Sequence, residues 1–404
     1  MSRSARERDA PRRLICHSDL VSETERAKTW AGTMAGHAAG EAVHAHQDTY
    51  ARLDATHVVL REEREASEDA HLAPGATRAS GAGDRARPEE PSVERTCFER
   101  DRDRIVHSAA FRRLAGKTQV VVYPHDHQRT RLSHALEVAQ VATSIARGIG
   151  ANVTLADAIA LGHDCGHGPG GHASEDAFDP YLPGGYDHGP WGADVVLVPL
   201  NLCRETLDGI RNHSWSSPAP ATIEGEIASW SDRIAYCAHD FEDAVAAGIV
   251  RAEDLPDEVA AFCGRTRSEQ LGTFIHAVMS TSVRTGRIGM DEESAAALAG
   301  LRRFNYERIY TRPESVAQAQ AVIAVLRGLV DHYLAHPEHV PPENAVPLVD
   351  DDSWVKTVVS YVGGMTDRYA FDTAAQLLGW DPARIPRGIG RGGRCSSASA
   401  CTVS

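Results

Sequence analysis

Apolar residues recur every three to four positions from about residue 100 onwards, which is the spacing of amphipathic helices. Gly, Pro and capping residues interrupt the pattern and divide it into separate segments. The predicted helices span, in chain order, 101–115, a segment from about 130, 155–165, 201–213, 222–248, 291–310 and 315–333, with two more within 354–378. One short run, 120–123, is β-prone. The pattern therefore predicts an all-α fold.

The two ends of the chain lack this periodicity. Residues 1–79 have a helix-forming composition but few apolar residues, so we expect a mobile N-terminal extension that is partly helical and partly disordered. Gly, Pro, Ala and Arg dominate 73–91, which is typical of a linker or mobile loop. The low-complexity end, 381–404, is predicted to be a disordered tail. Between the ends we distinguish a core, 80–260, and a C-terminal helical part, 261–380.

Composition and charge restrict the class of function. The 404 residues are 42% hydrophobic and 24% charged, as in a soluble globular protein. A net charge of −14 argues against an undirected nucleic-acid binder. The eight scattered cysteines form no CxxC pair, which favours reduced thiols in a cytoplasm. We also expect neither a secretory signal nor a membrane association, because no apolar run is long enough.

Histidine and carboxylate residues concentrate between 131 and 175. His134 lies in one predicted helix, and the pair His163-Asp164 ends the next, before a Gly/Pro run that cannot stay helical. The number of residues between His134 and His163 is what a helix, a loop and a second, antiparallel helix require. Imidazole nitrogen and carboxylate oxygen both suit divalent metals, so these residues predict a metal site. The alternative is that the His-Asp pair only makes a hydrogen bond at a helix end.

The long helix at 222–248 offers a fourth ligand. Asp232, Tyr236 and Asp240 recur about one turn apart. Such a stripe in an alanine-rich helix is either a solvated face or the wall of a metal site, and in the second interpretation Asp232 completes the ligand set.

More candidates flank the His-Asp pair. His163 and His167 are spaced i, i+4 and share a face if their helix extends that far. His172 and Glu175 lie on a loop or on a fresh helical turn. Arg131, one turn before His134, would place a guanidinium beside an anion attracted to the metal. The N-terminal histidines His37, His44 and His46 are interpreted instead as solvated surface residues.

Longer phrases of the sequence resemble one family. The order of His134, His163-Asp164 and Asp232 resembles the HD superfamily of metal-dependent phosphohydrolases. The phrases DRDRIVHSAAFRRLAGKTQV, RTRLSHALEVAQVA, AIALGHDCGHGPGGHASE, IASWSDRIAYCAHDFEDA, LRRFNYERIY and GGMTDRYAFD look like the deoxyguanosinetriphosphate triphosphohydrolase (dNTPase) family. This resemblance implies an HD-domain helical bundle with additional helices, in which 261–380 complete a nucleotide pocket.

The resemblance also implies an activity and its residues. It implies a homo-oligomer, a hexamer or tetramer, that uses a divalent cation such as Mg²⁺ or Mn²⁺ to hydrolyse a dNTP such as dGTP to deoxynucleoside and inorganic triphosphate. Regulation by a dNTP or by single-stranded DNA stays open. The implied metal ligands are His134, His163, Asp164 and Asp232; the implied catalytic residues are His172, Glu175 and His167; the implied substrate contacts are Gln119, Arg131, His188, Tyr236, Asp240, Arg302, Tyr306 and Tyr310.

Two motifs depart from the family's pattern. The usual His-Pro-Pro-Phe-Gly-His is His-Gly-Pro-Gly-Gly-His at 167–172, and the usual Glu-His-Asn is Asp-His-Gly at 187–189. Loss of the Phe predicts a looser loop around His172, and loss of the Asn removes a polar contact. These changes bear on turnover rate more than on reaction class.

The expected mechanism uses the metal to polarise the α-phosphoryl oxygen while water attacks the α-phosphorus. His172 supplies the proton of the leaving oxygen, with Glu175 orienting it. Arg131, His167, His188 and Arg302 share the triphosphate charge with a substrate-borne Mg²⁺.

Blander interpretations remain for three of these residues. His188 would be merely exposed, Arg302 part of a salt-bridged surface and Tyr236 a core tyrosine. Two alternative functions also remain: an HD-family 5′-nucleotidase or nucleotide phosphodiesterase, and a catalytically weak dNTP-binding sensor.

Overall fold

A computed structural model of the chain describes residues 25–120, 128–342 and 351–381. The chain divides into two compact units, 1–58 and 59–404. The described part of the first unit contains helix α1 (Glu25–Thr33) and a hairpin of strands β1 (His37–Ala39) and β2 (Ala42–His44), in which His37 pairs with His44. Sequence analysis did not predict this hairpin. The expectations for 1–24 and for the tail after 381 lie outside the described residues.

The described part of the second unit is helical, which confirms the predicted all-α class. Its helices, in chain order, are α2 (Arg61–His71), α3 (Cys97–His107), α4 (Ala109–Arg113), α5 (Arg131–Ile149), α6 (Val153–Gly162), α7 (Ala173–Phe178), α8 (His188–Trp191), α9 (Arg204–Arg211), α10 (Ile223–Ala246), α11 (Asp257–Cys263), α12 (Arg267–Thr285), α13 (Glu292–Asn305), α14 (Pro313–Ala335), α15 (Asp351–Gly363) and α16 (Asp367–Leu378). Short 3₁₀ or π segments adjoin several of them. No described helix is long and apolar enough to cross a bilayer.

The antiparallel pair α5–α6 is the centre of the larger core. Helix α5 ends at Gly150, whose left-handed backbone (φ 75°) reverses the chain. Helix α6 starts at once, because Asn152 Oδ1 accepts the N–H groups of Thr154 and Leu155. The reversal brings the start of α5 beside the end of α6, as the spacing of His134 and His163 predicted. Both helices bury Ala, Val, Leu and Ile side chains against α10.

A second hydrophobic cluster lies under the C-terminal helices. Helix α14 packs against α7, α15 and α16, and its Val322, Val325, Leu326 and Leu329 are fully buried. Helix α7 carries Glu175, so this second cluster supports one edge of the candidate site. The packing links the two predicted parts of the chain through α7.

The predicted linker, 73–91, is instead part of the folded unit. Ala76 and Ala79 are buried, and Thr77 Oγ1 donates to Glu224 Oε2 at 2.6 Å. Arg85, with 5% of its side chain exposed, donates to Asp101 Oδ1 at 2.6 Å. The linker prediction was wrong although Ala, Gly and Arg are typical of linkers. Here the small Ala side chains pack against helices, and the buried Arg85 guanidinium forms an ion pair with Asp101, which lies on another segment of the chain.

Two helix boundaries also differ from the prediction. The single helix expected over 101–115 breaks at Ser108, whose extended backbone ends α3 and whose Oγ caps α4 by accepting from the Phe111 N–H. The helix expected over 291–310 is α-helical only to Asn305, and Tyr306–Tyr310 winds as a π-helical turn. In the β-prone run 120–123, residues 121–123 lie outside the described residues.

Candidate active site

Three helices bring the four predicted metal ligands to one point. Helix α5 carries His134 in its first turn, and His163 and Asp164 directly follow the end of α6. Helix α10 carries Asp232, which lies beside them. His134 Nε2 lies 3.0 Å from Asp232 Oδ1 and 3.9 Å from Asp164 Oδ2. His163 Nε2 lies 3.5 Å from Asp164 Oδ1 and 3.6 Å from Asp232 Oδ1. We call these four residues the ligand cluster.

The unsatisfied atoms of the ligand cluster fit a divalent cation. His163 Nδ1 donates to the Ala160 carbonyl at 2.6 Å, and Nε2 is the nitrogen that faces the two carboxylates. His163 Nε2 is buried without a hydrogen-bond partner among the described residues. Burial would lower the pKa of His163, but Asp164 and Asp232 raise it to about 9. The site therefore favours positive charge, and its mixed nitrogen and oxygen donors suit a divalent metal.

Arg131 is buried beside the ligand cluster. Its Nη1 donates to Asp164 Oδ2 at 2.8 Å, and only 2% of its side chain is exposed. Its Nε and Nη2 are buried with no partner in the described part of the chain, and Arg131 lines the neighbouring cavity. Two donor nitrogens are thus available to an anion next to the ligand cluster.

His167 lies closer to the ligand cluster than its sequence spacing implied. Helix α6 ends at Gly162, so His163 and His167 do not share a helical face as expected. A tight turn, in which the His167 N–H donates to the Asp164 carbonyl at 3.1 Å, brings His167 Nε2 within 3.1 Å of Asp164 Oδ1. Burial, then Arg131 and His188, hold the pKa of His167 well below its usual range.

Glu175 connects the two other predicted histidines. Its Oε2 accepts from His172 Nδ1 at 2.9 Å and its Oε1 accepts from His188 Nδ1 at 2.6 Å. His188 in turn stacks on His167 with 3.8 Å between ring centroids. Burial alone would raise the pKa of Glu175, but the hydrogen bonds from His172 and His188 hold it well below its usual range. Glu175 is therefore a carboxylate that orients two imidazoles.

His213 extends this chain of imidazoles, and sequence analysis missed it. Its Nδ1 donates to the Ile210 carbonyl at 2.7 Å, so its Nε2 can only accept. His188 Nε2, 3.0 Å away, must then donate to it while His188 Nδ1 donates to Glu175. His188 therefore connects Glu175 to His213. The one sequence signal was that His213 ends a predicted helix, as His163 does.

A cavity of about 440 Å³ opens next to these clusters. All eight predicted substrate contacts line it: Gln119, Arg131, His188, Tyr236, Asp240, Arg302, Tyr306 and Tyr310. The predicted ligands His134, Asp164 and Asp232 and the predicted catalytic residues His167 and His172 line it too. His163 and Glu175 are not lining residues, but both contact residues that are. The structure thus gathers the residues that the sequence singled out around one cavity.

Hydrogen bonds join the two helices that form the far wall. Arg302 Nε on α13 donates to Tyr236 Oη on α10 at 2.8 Å. Tyr310 Oη donates to Asp240 Oδ2 at 2.5 Å. Burial raises the pKa of Asp240 to about 7, although the Tyr310 hydrogen bond opposes the rise. Since these side chains line the cavity, Tyr236 is not simply a core tyrosine, and the polar stripe on α10 is not a solvated face.

Further cavity residues were not predicted. The Arg233 guanidinium carbon lies 3.3 Å from the ring centroid of Trp215, and both residues line the cavity. Arg233 directly follows Asp232, which was the available signal. Ser315 and Gln318, in the first two turns of α14, also line the cavity. The sequence pattern predicted this helix but no role for it in the site, because its first polar residues belong to no motif.

The glycine-rich loop at 166–172 is held at several points despite the missing Phe. The Gly168 N–H donates to Ser174 Oγ at 2.9 Å, and the Gly170 N–H donates to Asp367 Oδ1 at 2.8 Å. Lys117 Nζ donates to the His167 carbonyl. These contacts oppose the loosening expected from the sequence. Asp367 belongs to the C-terminal helices, so the loop also depends on that part of the fold.

We expect Gly171→Ala to destabilise this loop. Gly171 has φ 64°, and a Cβ there would lie 2.7 Å from Arg131 Nη2 and 2.8 Å from the Thr118 carbonyl oxygen. The left-handed backbone alone costs an alanine about 1–2 kcal/mol. Thermal unfolding should show a lower Tm. Gly184→Ala is the matched control, because its Cβ would meet nothing within 4 Å. Equal Tm values for the two variants would contradict the steric account.

Comparisons with known proteins agree with this geometry. Residues 131–237 match the HD domain, and residues 288–376 match the phosphohydrolase-associated domain. A deoxyguanosinetriphosphate triphosphohydrolase-like protein of Caldanaerobacter subterraneus is 39% identical over 77% of this chain and 93% of its own length. Proteins of that description from Clostridium perfringens and Clostridium tetani are 37% and 35% identical, over 70% and 77% of this chain and 87% and 93% of theirs.

A solved phosphohydrolase from Bacteroides thetaiotaomicron aligns with 69% of this chain and 68% of its own, at 18% identity and a TM-score of 0.43. The HD domain and its associated domain mark the chain as a phosphohydrolase with His and Asp residues placed for a divalent metal. The extent and identity of the curated matches place it more closely. The chain belongs to the family of deoxyguanosinetriphosphate triphosphohydrolase-like proteins.

Proposed function

We propose that this protein hydrolyses deoxynucleoside triphosphates, dGTP among them, to deoxynucleoside and inorganic triphosphate. One observation carries the proposal: a single cavity has the ligand cluster on one wall and cationic and aromatic side chains on the others. The cationic residues suit a polyphosphate, and the aromatic residues suit a sugar and base. The names of the curated relatives support the same substrate class.

The ligand cluster and its neighbours would position the phosphates. His134, His163, Asp164 and Asp232 would hold the divalent cation, which when bound supplies the positive charge that polarises a phosphoryl oxygen. Arg131 offers its two unpaired N–H groups to the phosphate nearest that point. His188, held between Glu175 and His213, lines the cavity as well and would contact the phosphates. The charge of the triphosphate is thereby met locally, although the protein is acidic overall.

His172 would handle the proton of the reaction. Hydrolysis at the α-phosphorus breaks the bond to the 5′-oxygen, and that oxygen must take up a proton as it leaves. The His172 side chain is 72% exposed towards solvent, lines the cavity and is oriented by Glu175 through Nδ1. Because Nδ1 is hydrogen-bonded to Glu175, Nε2 is the ring nitrogen that would serve the substrate. We assign His172 as the proton donor and Glu175 as the residue that positions it.

The opposite wall would hold the sugar and base. Gln119 Oε1 is buried with no hydrogen-bond partner among the described residues and lines the cavity. Tyr306 and Tyr310 present aromatic surface there, with ring centroids 6.4 Å apart. Gln119 therefore has a free acceptor for a sugar hydroxyl, and the tyrosines offer stacking surface.

Product analysis tests the proposal. Purified protein is incubated with dGTP and each of Mg²⁺ and Mn²⁺, and the phosphates are separated by ion exchange. Inorganic triphosphate and deoxyguanosine in equal amounts are expected. Orthophosphate or pyrophosphate would indicate the alternative of a 5′-nucleotidase or phosphodiesterase. Binding of dGTP without any product would indicate the alternative of a dNTP sensor.

Assembly and regulation belong to the same proposal. A hexamer or tetramer is implied by the resemblance, whereas regulation by a dNTP or by single-stranded DNA is left open by it. Size-exclusion chromatography with light scattering, with and without dNTP, measures the first. Rates measured with added single-stranded DNA or a second dNTP measure the other.

We expect Arg302→Gln to weaken substrate binding. Arg302 lines the cavity and its Nε donates to Tyr236, so the variant loses a positive charge and weakens the hydrogen bond that joins α13 to α10. A lost charge-assisted contact of about 1.5 kcal/mol should raise KM about tenfold with a smaller change in kcat. Arg303→Gln is the matched control, since this adjacent arginine is exposed and does not line the cavity. Equal KM values in the two variants would show that Arg302 does not contact the substrate.

A further inference from the structure

A second group of histidines lies at the far end of α14, away from the cavity. His336, Glu338 and His339 place one ligand atom each within 4.8 Å of one another, and all three residues are exposed. His332 lies alongside, with its Nε2 2.9 Å from His339 Nδ1. About 21 Å of helix separates His336 from Val322, the cavity-lining residue of α14 nearest to it, at 1.5 Å per residue. This surface histidine cluster is therefore distinct from the ligand cluster.

The local backbone explains why these side chains converge. His332 and His336 are one helical turn apart, and the His336 N–H donates to the His332 carbonyl at 2.8 Å as α14 ends. Pro337 begins a 3₁₀ turn, and the His339 N–H donates to the His336 carbonyl at 3.0 Å. Val340, 4% exposed, anchors the turn in the second hydrophobic cluster. The three imidazoles consequently come from a backbone that is fixed at both ends.

The electrostatics of this place favour a cation. The C-terminal end of a helix carries partial negative charge from its free carbonyl groups. Glu338 adds a carboxylate, and its Oε1 lies 3.3 Å from His336 Nδ1.

We propose that His336, Glu338 and His339 form a surface site for one divalent cation of the Zn²⁺ type, with His332 orienting His339. Two imidazoles and one carboxylate are a common ligand set for such metals, with water in the remaining position. A second imidazole hydrogen-bonded to a ligating histidine holds its ring in place. Imidazole donors favour Zn²⁺, Co²⁺ or Ni²⁺ over Mg²⁺. The bound ion would tie the end of α14 to the turn that follows it.

Zinc stoichiometry tests this proposal on the full-length protein. Wild type and His336→Asn/His339→Asn are stripped with chelator, dialysed against buffered Zn²⁺ and analysed by elemental mass spectrometry. The double variant should bind about one zinc fewer per chain than wild type. His107→Asn/His276→Asn is the matched control, because both residues are exposed histidines outside the candidate metal groups of the described chain, and it should match wild type.

A second measurement separates this site from the ligand cluster. In Asp232→Asn protein the surface histidine cluster is intact, so Zn²⁺ should still raise the Tm in that background. The rise should disappear when His336→Asn/His339→Asn is added. Equal zinc content in wild type and the double variant, or a Tm rise that does not depend on these histidines, would overturn the proposal.

Discussion

Replacing Asp232 by asparagine is expected to remove both the metal and the hydrolytic activity. Asp232 Oδ1 lies between His134 Nε2 at 3.0 Å and His163 Nε2 at 3.6 Å, so it is the oxygen that the two imidazoles share. Asn keeps the shape of the side chain but lacks its charge. Metal-ion catalysis contributes several kcal/mol, so the rate should fall about a thousandfold or more.

Metal content should be measured beside the rate. Manganese bound to Asp232→Asn, counted by elemental analysis after dialysis, should be far below that of wild type. Glu226→Gln is the matched control: it makes the same carboxylate-to-amide change on the same helix, outside the cavity lining. If Asp232→Asn retained wild-type manganese and activity, the ligand cluster would not be the catalytic centre.

Glu175→Gln is expected to lower kcat strongly while the metal is retained. The carboxylate accepts hydrogen bonds from His172 and His188, and Glu175 is not one of the four residues of the ligand cluster. An amide can accept at its oxygen, but its nitrogen would point a donor at one of the imidazoles. Because general acid catalysis contributes about 10²–10⁴-fold, we expect kcat to fall about a hundredfold.

The contrast between kcat and metal content identifies this role. Manganese binding should match wild type, unlike in Asp232→Asn. Asp176→Asn changes the adjacent, exposed carboxylate and should leave kcat unchanged. A Glu175→Gln enzyme with full kcat would show that His172 needs no carboxylate partner. If Glu175→Gln also lost its metal, Glu175 would have to be counted among the metal ligands.

Several helices were predictable because their signals are local. Apolar periodicity and capping residues placed α5, α6, α10 and α14 to within a few residues. The interval between His134 and His163 predicted an antiparallel hairpin, because Gly150 and Asn152 leave room for little else between two helices. The ligand cluster followed from that hairpin and from Asp232 on α10.

Other features could not be predicted because they depend on partners far apart in sequence. The sequence around Arg85 is typical of a linker, and only the structure shows that its guanidinium lies 2.6 Å from Asp101. In the sequence, Asp367 is simply a residue at a helix N-terminus. The structure shows that it accepts a hydrogen bond from the N–H of Gly170, which lies 197 positions earlier. His213 has no motif of its own, and its importance follows from its contact with His188.

The all-α class, the chain order of the candidate metal ligands and the candidate phosphate and base contacts follow from the sequence alone, because helical period and ligand chemistry are visible in neighbouring residues. Which of those residues line one cavity, how the histidines are hydrogen-bonded and how the glycine-rich loop is held follow only from the folded structure. Hydrogen bonding and burial are properties of packed pairs, and the packing of α7, α10 and α14 brings those pairs together.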